Sequence, residues 1–124
     1  MVQQAKAVLT TQIKVIAMYS TNVIENKEQR YFPASIDFDL GEIVVTQGVI
    51  KMLDNLPVDL LQPFLARHKG GDWGHVSIQD KQQNDHATRY GDRILSSYKF
   101  CEQCIWIITE ADRSVTTILL PSEC

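Results

Sequence analysis

Apolar residues recur at three- and four-residue intervals in the middle of the chain and then switch to alternation after Gly91, so the pattern predicts helices first and strands afterwards. Val49, Ile50, Leu53 and Leu56 give a short helix that stops before Pro57. Leu60, Leu61, Phe64 and Leu65 form the buried stripe of a second, which Gly70-Gly71 ends. A third starts at Ser77, an N-cap with Asp80 three residues on, and runs to about Tyr90 before Gly91. It is mostly polar. Asp80, Asn84 and Ala87 share one of its faces, which makes Asn84 a half-buried residue expected to bond backbone.

The last third reads as a three-stranded meander over residues 93–100, 104–110 and 115–120, joined by short turns. Symmetric hairpin pairing sets Thr109 against Thr116, Trp106 against Leu119 and Tyr98 against Trp106. One sheet face then carries Ile94, Ser96, Tyr98, Trp106, Ile108, Glu110, Thr117 and Leu119, and the other carries Leu95, Ser97, Ile105, Ile107, Thr109, Thr116, Ile118 and Leu120. Both faces are largely apolar, so both need cover, from helices, the N-terminal segment or a partner subunit. Ahead of the helices, residues 36–40 and 42–46 alternate as two strands or one bent strand. Residues 9–17 fit both strand and helix spacing, with β-branched content favouring strand; residues 20–33 look like a turn or connecting loop. The expected architecture is an α+β domain of residues 1–124: helices packed on an antiparallel sheet of about four to five strands, with a variable N-terminal segment over residues 1–40.

At 124 residues, 44% hydrophobic and 22% charged, the chain has the size and composition of one globular domain. Its net charge of −3 argues against a broad footprint for duplex nucleic acid. Arg67, His68, Lys69, Arg93 and Arg113 still allow a local basic cleft in the second half. No apolar run reaches the roughly 18 residues of a membrane span, and Gln12 and Lys14 interrupt the apolar stretch from Val8 to Tyr19, so a cytoplasmic protein without membrane association is expected. Cys101 and Cys104 have the spacing of half a zinc site, but a tetrahedral site needs two more ligands. They read as thiols flanking a hairpin turn, and neither metal nor cofactor is expected.

Gly71-Asp72-Trp73-Gly74 reads as a rigid turn whose Trp plugs the core. In a functional reading Trp73 lines a pocket with Trp106 and Tyr98, Asp72 supplies an acceptor, and Thr109 and Thr116 supply hydroxyls. The segment from Thr109 to Ser114 joins the two most apolar strands, where Asp112 and Ser114 stabilise a turn through local amides. It also crowds Glu110 and Asp112 against Arg113, a way to hold an anion-binding fork. His68 follows Arg67 at a helix C-terminus, a place that favours imidazolium. No nucleophile elbow, phosphate loop, dinucleotide fingerprint or zincin motif is present.

Arg67-His68, Gly71-Asp-Trp-Gly74, Asp80, Asn84, Gly91, Arg93-Ile-Leu-Ser96, Tyr98 and Trp106-Ile-Ile-Thr-Glu-Ala-Asp-Arg-Ser114, with Thr116-Thr117 and Leu119-Leu-Pro121, resemble a family of small uncharacterised bacterial proteins associated with plasmids and integron gene cassettes. The resemblance covers roughly residues 44–123 and implies a mobile-DNA setting without an assigned activity. The chain departs from that pattern at Val45-Thr-Gln-Gly48, where Thr-Pro-Gly-Ala is usual, and at its end, Ser-Glu-Cys124, where an aromatic residue commonly closes the sequence.

Two functions from different classes follow. The first is a non-enzymatic accessory protein, a binding or interaction module for a small ligand or protein partner that self-associates, as a dimer, through remaining apolar surface. The second, on the analogy of small ribonucleases of the barnase and RelE type, is an RNA-cleaving enzyme. There His68 or Glu110 would be the acid–base group, Arg93 and Arg113 the phosphate clamps, and Thr109 or Thr116 a donor. Convergence of His68, Arg93 and Arg113 on one cleft separates the two.

Overall fold

The computed structural model describes residues 30–124. The chain divides into two compact units, Met1–Tyr31 and Phe32–Cys124, and the second contains the sheet and helices of the described residues. The strand expected over residues 9–17 lies outside the described residues.

Strand β1 (Glu42–Val45) leads into helix α1 (Gln47–Leu53), a 3-10 turn (Val58–Leu61), helix α2 (Gln62–Lys69) and helix α3 (Ile78–Tyr90), followed by β2 (Ile94–Phe100), β3 (Gln103–Thr109) and β4 (Val115–Leu119). The sheet order is β1-β4-β3-β2, which makes an α+β fold. The sheet is mixed, not wholly antiparallel as the pattern suggests: β1 runs parallel to β4, with Glu42 opposite Val115 and Val45 opposite Ile118. A parallel pair needs a long crossover, and the helices between β1 and β4 provide one. Residues 36–40 form no strand; Phe38 there is buried.

Each helix ends where local chemistry requires. Thr46 caps α1 by accepting from the Val49 amide, and Asp54 closes it in a left-handed conformation. Ser77 caps α3 through the Asp80 amide, and Gly91, at φ 84°, ends it with its N–H on the Ala87 carbonyl. The stripe expected for the second helix divides: Leu61 and Leu65 are buried, while Leu60 is 41% exposed on the 3-10 turn.

Thr109 lies opposite Thr116 and Trp106 opposite Leu119, as expected, but Tyr98 pairs with Ile105 instead of Trp106. The difference is one residue of turn. Cys101 and Glu102, both left-handed at φ 51° and 63°, make a two-residue connection that sets Phe100 against Gln103. Because side chains alternate, the shift carries all of β2 to the opposite face. Tyr98 and Ser96 therefore join Ile105, Ile107, Thr109, Thr116 and Ile118. The main core forms on this face from Tyr98, Ile105, Ile107 and Ile118 with Val49, Leu53, Leu61 and Leu65.

The start of α1 and the C-terminal 3-10 turn (Pro121–Glu123) touch each other. Glu123 accepts from the Thr46 hydroxyl at 2.6 Å, the Gly48 amide at 3.0 Å and the Leu120 amide at 2.7 Å. The Thr46 hydrogen bond, with help from the two amides, holds the carboxyl below its usual range. A Cβ at position 48 would come 2.5 Å from Glu123 Oε2, so a side chain there would push the Glu123 carboxylate aside.

Candidate functional site

Two polar constellations stand out, one sealed and one open. The sealed one centres on His68. Its Nδ1 lies 2.6 Å from Ser96 Oγ and its Nε2 2.9 Å from Thr109 Oγ1. Thr109 Oγ1 is in turn 2.7 Å from Thr116 Oγ1, and Thr116 donates to the Leu40 carbonyl at 2.6 Å. That last bond orders the rest. With the Thr116 proton on Leu40, Thr109 must donate to Thr116 and His68 Nε2–H must donate to Thr109; in the neutral ring that burial favours, Ser96 donates to Nδ1. The imidazole is thus held as the neutral Nε2–H tautomer.

Phe38 and Trp73 pack edge-on against the His68 ring at 5.6 and 5.8 Å, and His68 has no exposed surface. Burial pushes its pKa from 6.5 down to about 4. The preference of a helix C-terminus for imidazolium is real but small, and desolvation outweighs it.

Of the residues expected to line a pocket, Trp73 and Thr109 touch this histidine and Thr116 bonds Thr109, and most are sealed in the core. Trp73, Tyr98, Thr109 and Thr116 are all fully or almost fully buried. Trp73 donates to Asp85 Oδ1 at 2.9 Å and Tyr98 to the Asp72 carbonyl at 2.6 Å. Burial also drives the Tyr98 pKa well above its ordinary value. Asp72 stays exposed and forms an ion pair with Arg67 Nε at 2.7 Å, while the Arg67 guanidinium covers the Tyr98 ring at 4.6 Å. Trp106 sits on the opposite sheet face from Tyr98, separated from it by the register shift.

His68, Thr109 and Thr116 come together, but the arginines do not join them. Arg113 donates to the carbonyls of Ala87 at 2.7 Å, Asp92 at 2.7 Å and Glu110 at 3.1 Å, tying the β3–β4 turn to the end of α3. Its guanidinium also lies 5.6 Å from the Phe38 ring centre. Arg93 reaches out to Glu110 at 3.6 Å, with both side chains about half exposed.

The family models, the curated proteins and the solved structures give no match to this chain. Its chemistry is therefore read from its own geometry. The open constellation is a groove of about 320 Å³ between α3 and the start of β2, lined by Asp80, Gln83, Asn84, His86, Ala87, Asp92, Arg93 and Leu95. Asp80, Gln83, Asn84 and Ala87 follow the i, i+3, i+4, i+7 spacing of one helix face. Gly91 then turns the chain back, so that Asp92 and Arg93 return onto the last turns of α3.

His86 Nδ1 stands 3.9 Å from Asp92 Oδ2 and its ring stacks on Tyr90 at 4.3 Å. Helical periodicity gives no hint of this pairing, because the partner of His86 lies across the helix C-cap; the signal in the sequence is the His-x5-Asp-Arg spacing around Gly91. Asn84 forms the floor, and both ends of its amide are bound to Leu95, Oδ1 accepting the amide at 3.2 Å and Nδ2 donating to the carbonyl at 2.8 Å. What is left to meet a ligand is a guanidinium, two carboxylates, an imidazole and a small apolar patch. Among the described residues no group of His, Cys, Asp and Glu is arranged to hold a metal ion, and no helix is long and apolar enough to cross a membrane.

Proposed function

We propose that this protein is a non-enzymatic, self-associating binding or interaction module, an accessory protein of the mobile-DNA setting that the resemblance implies. Its ligand site is the α3–β2 groove, suited to a small molecule that carries both an anionic group for Arg93 and a cationic or donor group for Asp80 and Asp92. The observation behind this reading is the state of His68, whose two ring nitrogens are saturated by Ser96 and Thr109 inside the core. A general base must reach a substrate proton, and a sealed, neutral, doubly bonded imidazole is built to brace the fold. Arg113, bound to carbonyls, has the same bracing character.

One observation favours a second reading. The groove gathers His86, Asp92 and Arg93, an imidazole, a carboxylate and a guanidinium; the ribonuclease alternative already takes Arg93 as a phosphate clamp beside Arg113, and His86 or Asp92 would stand where it had His68 or Glu110 as the acid–base group. Both readings are tested with purified protein, its Arg93→Ala and His86→Ala variants, a fragment library of small zwitterions followed by amide NMR shifts, and a labelled single-stranded RNA. Fragments that shift α3 and β2 resonances in the wild type and not in Arg93→Ala, with the RNA intact, are the expected result. RNA cleavage lost in His86→Ala would overturn the non-enzymatic reading, and fragment binding that survives Arg93→Ala would move the site out of the groove.

A further inference from the structure

We infer that strand β1 is the dimer interface of this protein: two copies join their β1 strands antiparallel about a two-fold axis at Val44, fusing two four-stranded sheets into one of eight. The inference rests on the self-associating part of the function proposed above and names its surface, register and partner, a second copy of this chain.

The backbone sets the register. Glu42 N–H donates to the Ser114 carbonyl and Thr46 N–H to the Ile118 carbonyl. In a parallel pair the inward positions alternate, so residues 42, 44 and 46 face β4 while Ile43 and Val45 turn their N–H and C=O outward. β1 ends the sheet, and these four groups are unpaired among the described residues. Two outward positions flanking one inward residue are self-complementary. Ile43 of one copy meets Val45 of the other as a hydrogen-bonded pair, Val45 meets Ile43, and the two Val44 side chains face each other as the non-hydrogen-bonded pair on the axis. Four new backbone bonds form without displacing an existing one. Charge is compatible with the same register: Glu42 falls opposite Thr46 of the second copy, so the two Glu42 carboxylates are kept apart. The strand carries no Lys, Pro or bulge of the kind that shields an edge.

The side chains beside this edge supply the apolar area. Ile43 and Val45 point into a groove of about 150 Å³ that they share with Val58, Asp59, Leu61, Gln62, Leu65 and Ile118. Of the large apolar side chains that remain 39–48% exposed, six lie in the segment from β1 to the 3-10 turn: Ile43, Val44, Ile50, Leu56, Val58 and Leu60. Ile43 and Val44 on the strand and Val58 on the groove wall place part of this apolar surface directly at the edge. A foreign peptide could use the edge bonds through the same strand-addition chemistry, but only a second copy brings a matching apolar rim and a two-fold that seats Val44 on Val44.

Sedimentation equilibrium on the full chain and two edge variants tests this. Val44→Lys puts like charges on the axis. Ile43→Pro removes an outward N–H that has no partner among the described residues. The expected result is a wild-type dimer at protein concentrations of about 10–100 μM, with dissociation at least 100-fold easier in both variants and their circular dichroism unchanged. The register is read separately by cysteine crosslinking, with Cys101, Cys104 and Cys124 replaced by Ser: Val44→Cys should oxidise to a covalent dimer, and Glu42→Cys should not. A wild type that stays monomeric overturns the inference and leaves the edge to a foreign strand; dimers that survive both edge variants, or crosslink equally at 42 and 44, place the interface elsewhere. Fragment binding in the α3–β2 groove is measured on the same samples. A monomer that still binds fragments defeats this inference alone, and a dimer that cleaves RNA defeats the non-enzymatic reading alone.

Discussion

Along the β2 edge the outward backbone groups are met by chain from elsewhere, whereas along the β1 edge the equivalent groups of Ile43 and Val45 have no partner among the described residues and lie among apolar side chains. At β2, Leu95 is held on both its N–H and C=O by the Asn84 side chain, and Ser97 donates to the Trp73 carbonyl and accepts from the His75 amide at 2.7 Å. Lys99, exposed at the next outward position, adds a charge. Among the described residues the sheet is therefore closed on one side by the Gly-Asp-Trp-Gly turn and α3, and open on the other. A protein that covers one edge so thoroughly and leaves the second bare and apolar has an edge available for pairing. The proposed self-association draws on this difference without any appeal to the ligand groove.

The sharpest way to break the contrast is to open the covered edge at Gly74. This residue sits at φ 75°, and a Cβ there would run into the Ser97 carbonyl oxygen and the Tyr98 ring. Gly74→Ala should cost about 3 kcal/mol, combining left-handed strain with the loss of the bridge to Ser97. Urea unfolding reads the cost. A loss below about 1 kcal/mol would mean that the turn adjusts and the bridge to β2 is weak.

Acid tests the buried link between the two edges. The hydrogen bonds from Ser96 on β2 through His68, Thr109 and Thr116 end on the Leu40 carbonyl, two residues before β1, so one chain of bonds crosses the sheet. Folding holds the His68 pKa at about 4 against an ordinary 6.5. The unfolded chain therefore takes up this proton first as pH falls. Stability that is fully present above about pH 6.5 should be lost progressively down to about pH 4, by on the order of 3 kcal/mol from this residue. Urea midpoints measured between pH 7.5 and 4 should fall in the wild type, and His68→Gln, less stable at pH 7, should show a flatter profile. Equal slopes in the two proteins would show that other groups control the acid limb.

Much of this fold is legible from local chemistry. The caps at Ser77 and Gly91 act within one turn, and the Thr109–Thr116 and Trp106–Leu119 pairs follow from a short polar connection between two strongly apolar runs. What cannot be read that way depends on tertiary context or on unusual backbone. Cys101 and Glu102 adopt left-handed angles that normally draw Asn and Gly, so nothing in their chemistry signals a two-residue turn, and symmetric pairing puts β2 on the wrong face. The parallel pairing of β1 with β4 joins residues about seventy positions apart and leaves no periodic trace. His68 looks like one of three basic residues at a helix end; only burial between Phe38 and Trp73 separates it from Arg67 and Lys69. The α3–β2 groove is half visible, through Asp80, Asn84 and Ala87 on one helix face, but His86 enters it only because Gly91 folds Asp92 and Arg93 back.

Asn84 gives a smaller and more selective break than Gly74. Asn84→Ala removes both bonds to Leu95 and leaves a poorly solvated N–H and C=O, for about 2 kcal/mol. Hydrogen exchange at Leu95 should accelerate far more than exchange at Ile107, which lies in the sheet interior. Uniform acceleration would mean that Asn84 supports the whole domain instead of guarding the edge.

The smallest effect is expected at Lys99, and it discriminates best between the two edges. Lys99→Val touches no core residue, so monomer stability should stay within about 0.5 kcal/mol. Its consequence lies in association. In the wild type the change should go unnoticed behind β1 pairing, but in the Val44→Lys background, with β1 pairing blocked, it should introduce weak self-association through β2. Only the outward position at Lys99 is available there, because Leu95 and Ser97 already have partners, so this second dimer should be much weaker than the first. If the double variant instead associates as tightly as the wild type, the cover supplied by Asn84 and Trp73 is not what keeps the β2 edge unpaired, and the charge on Lys99 alone protects it.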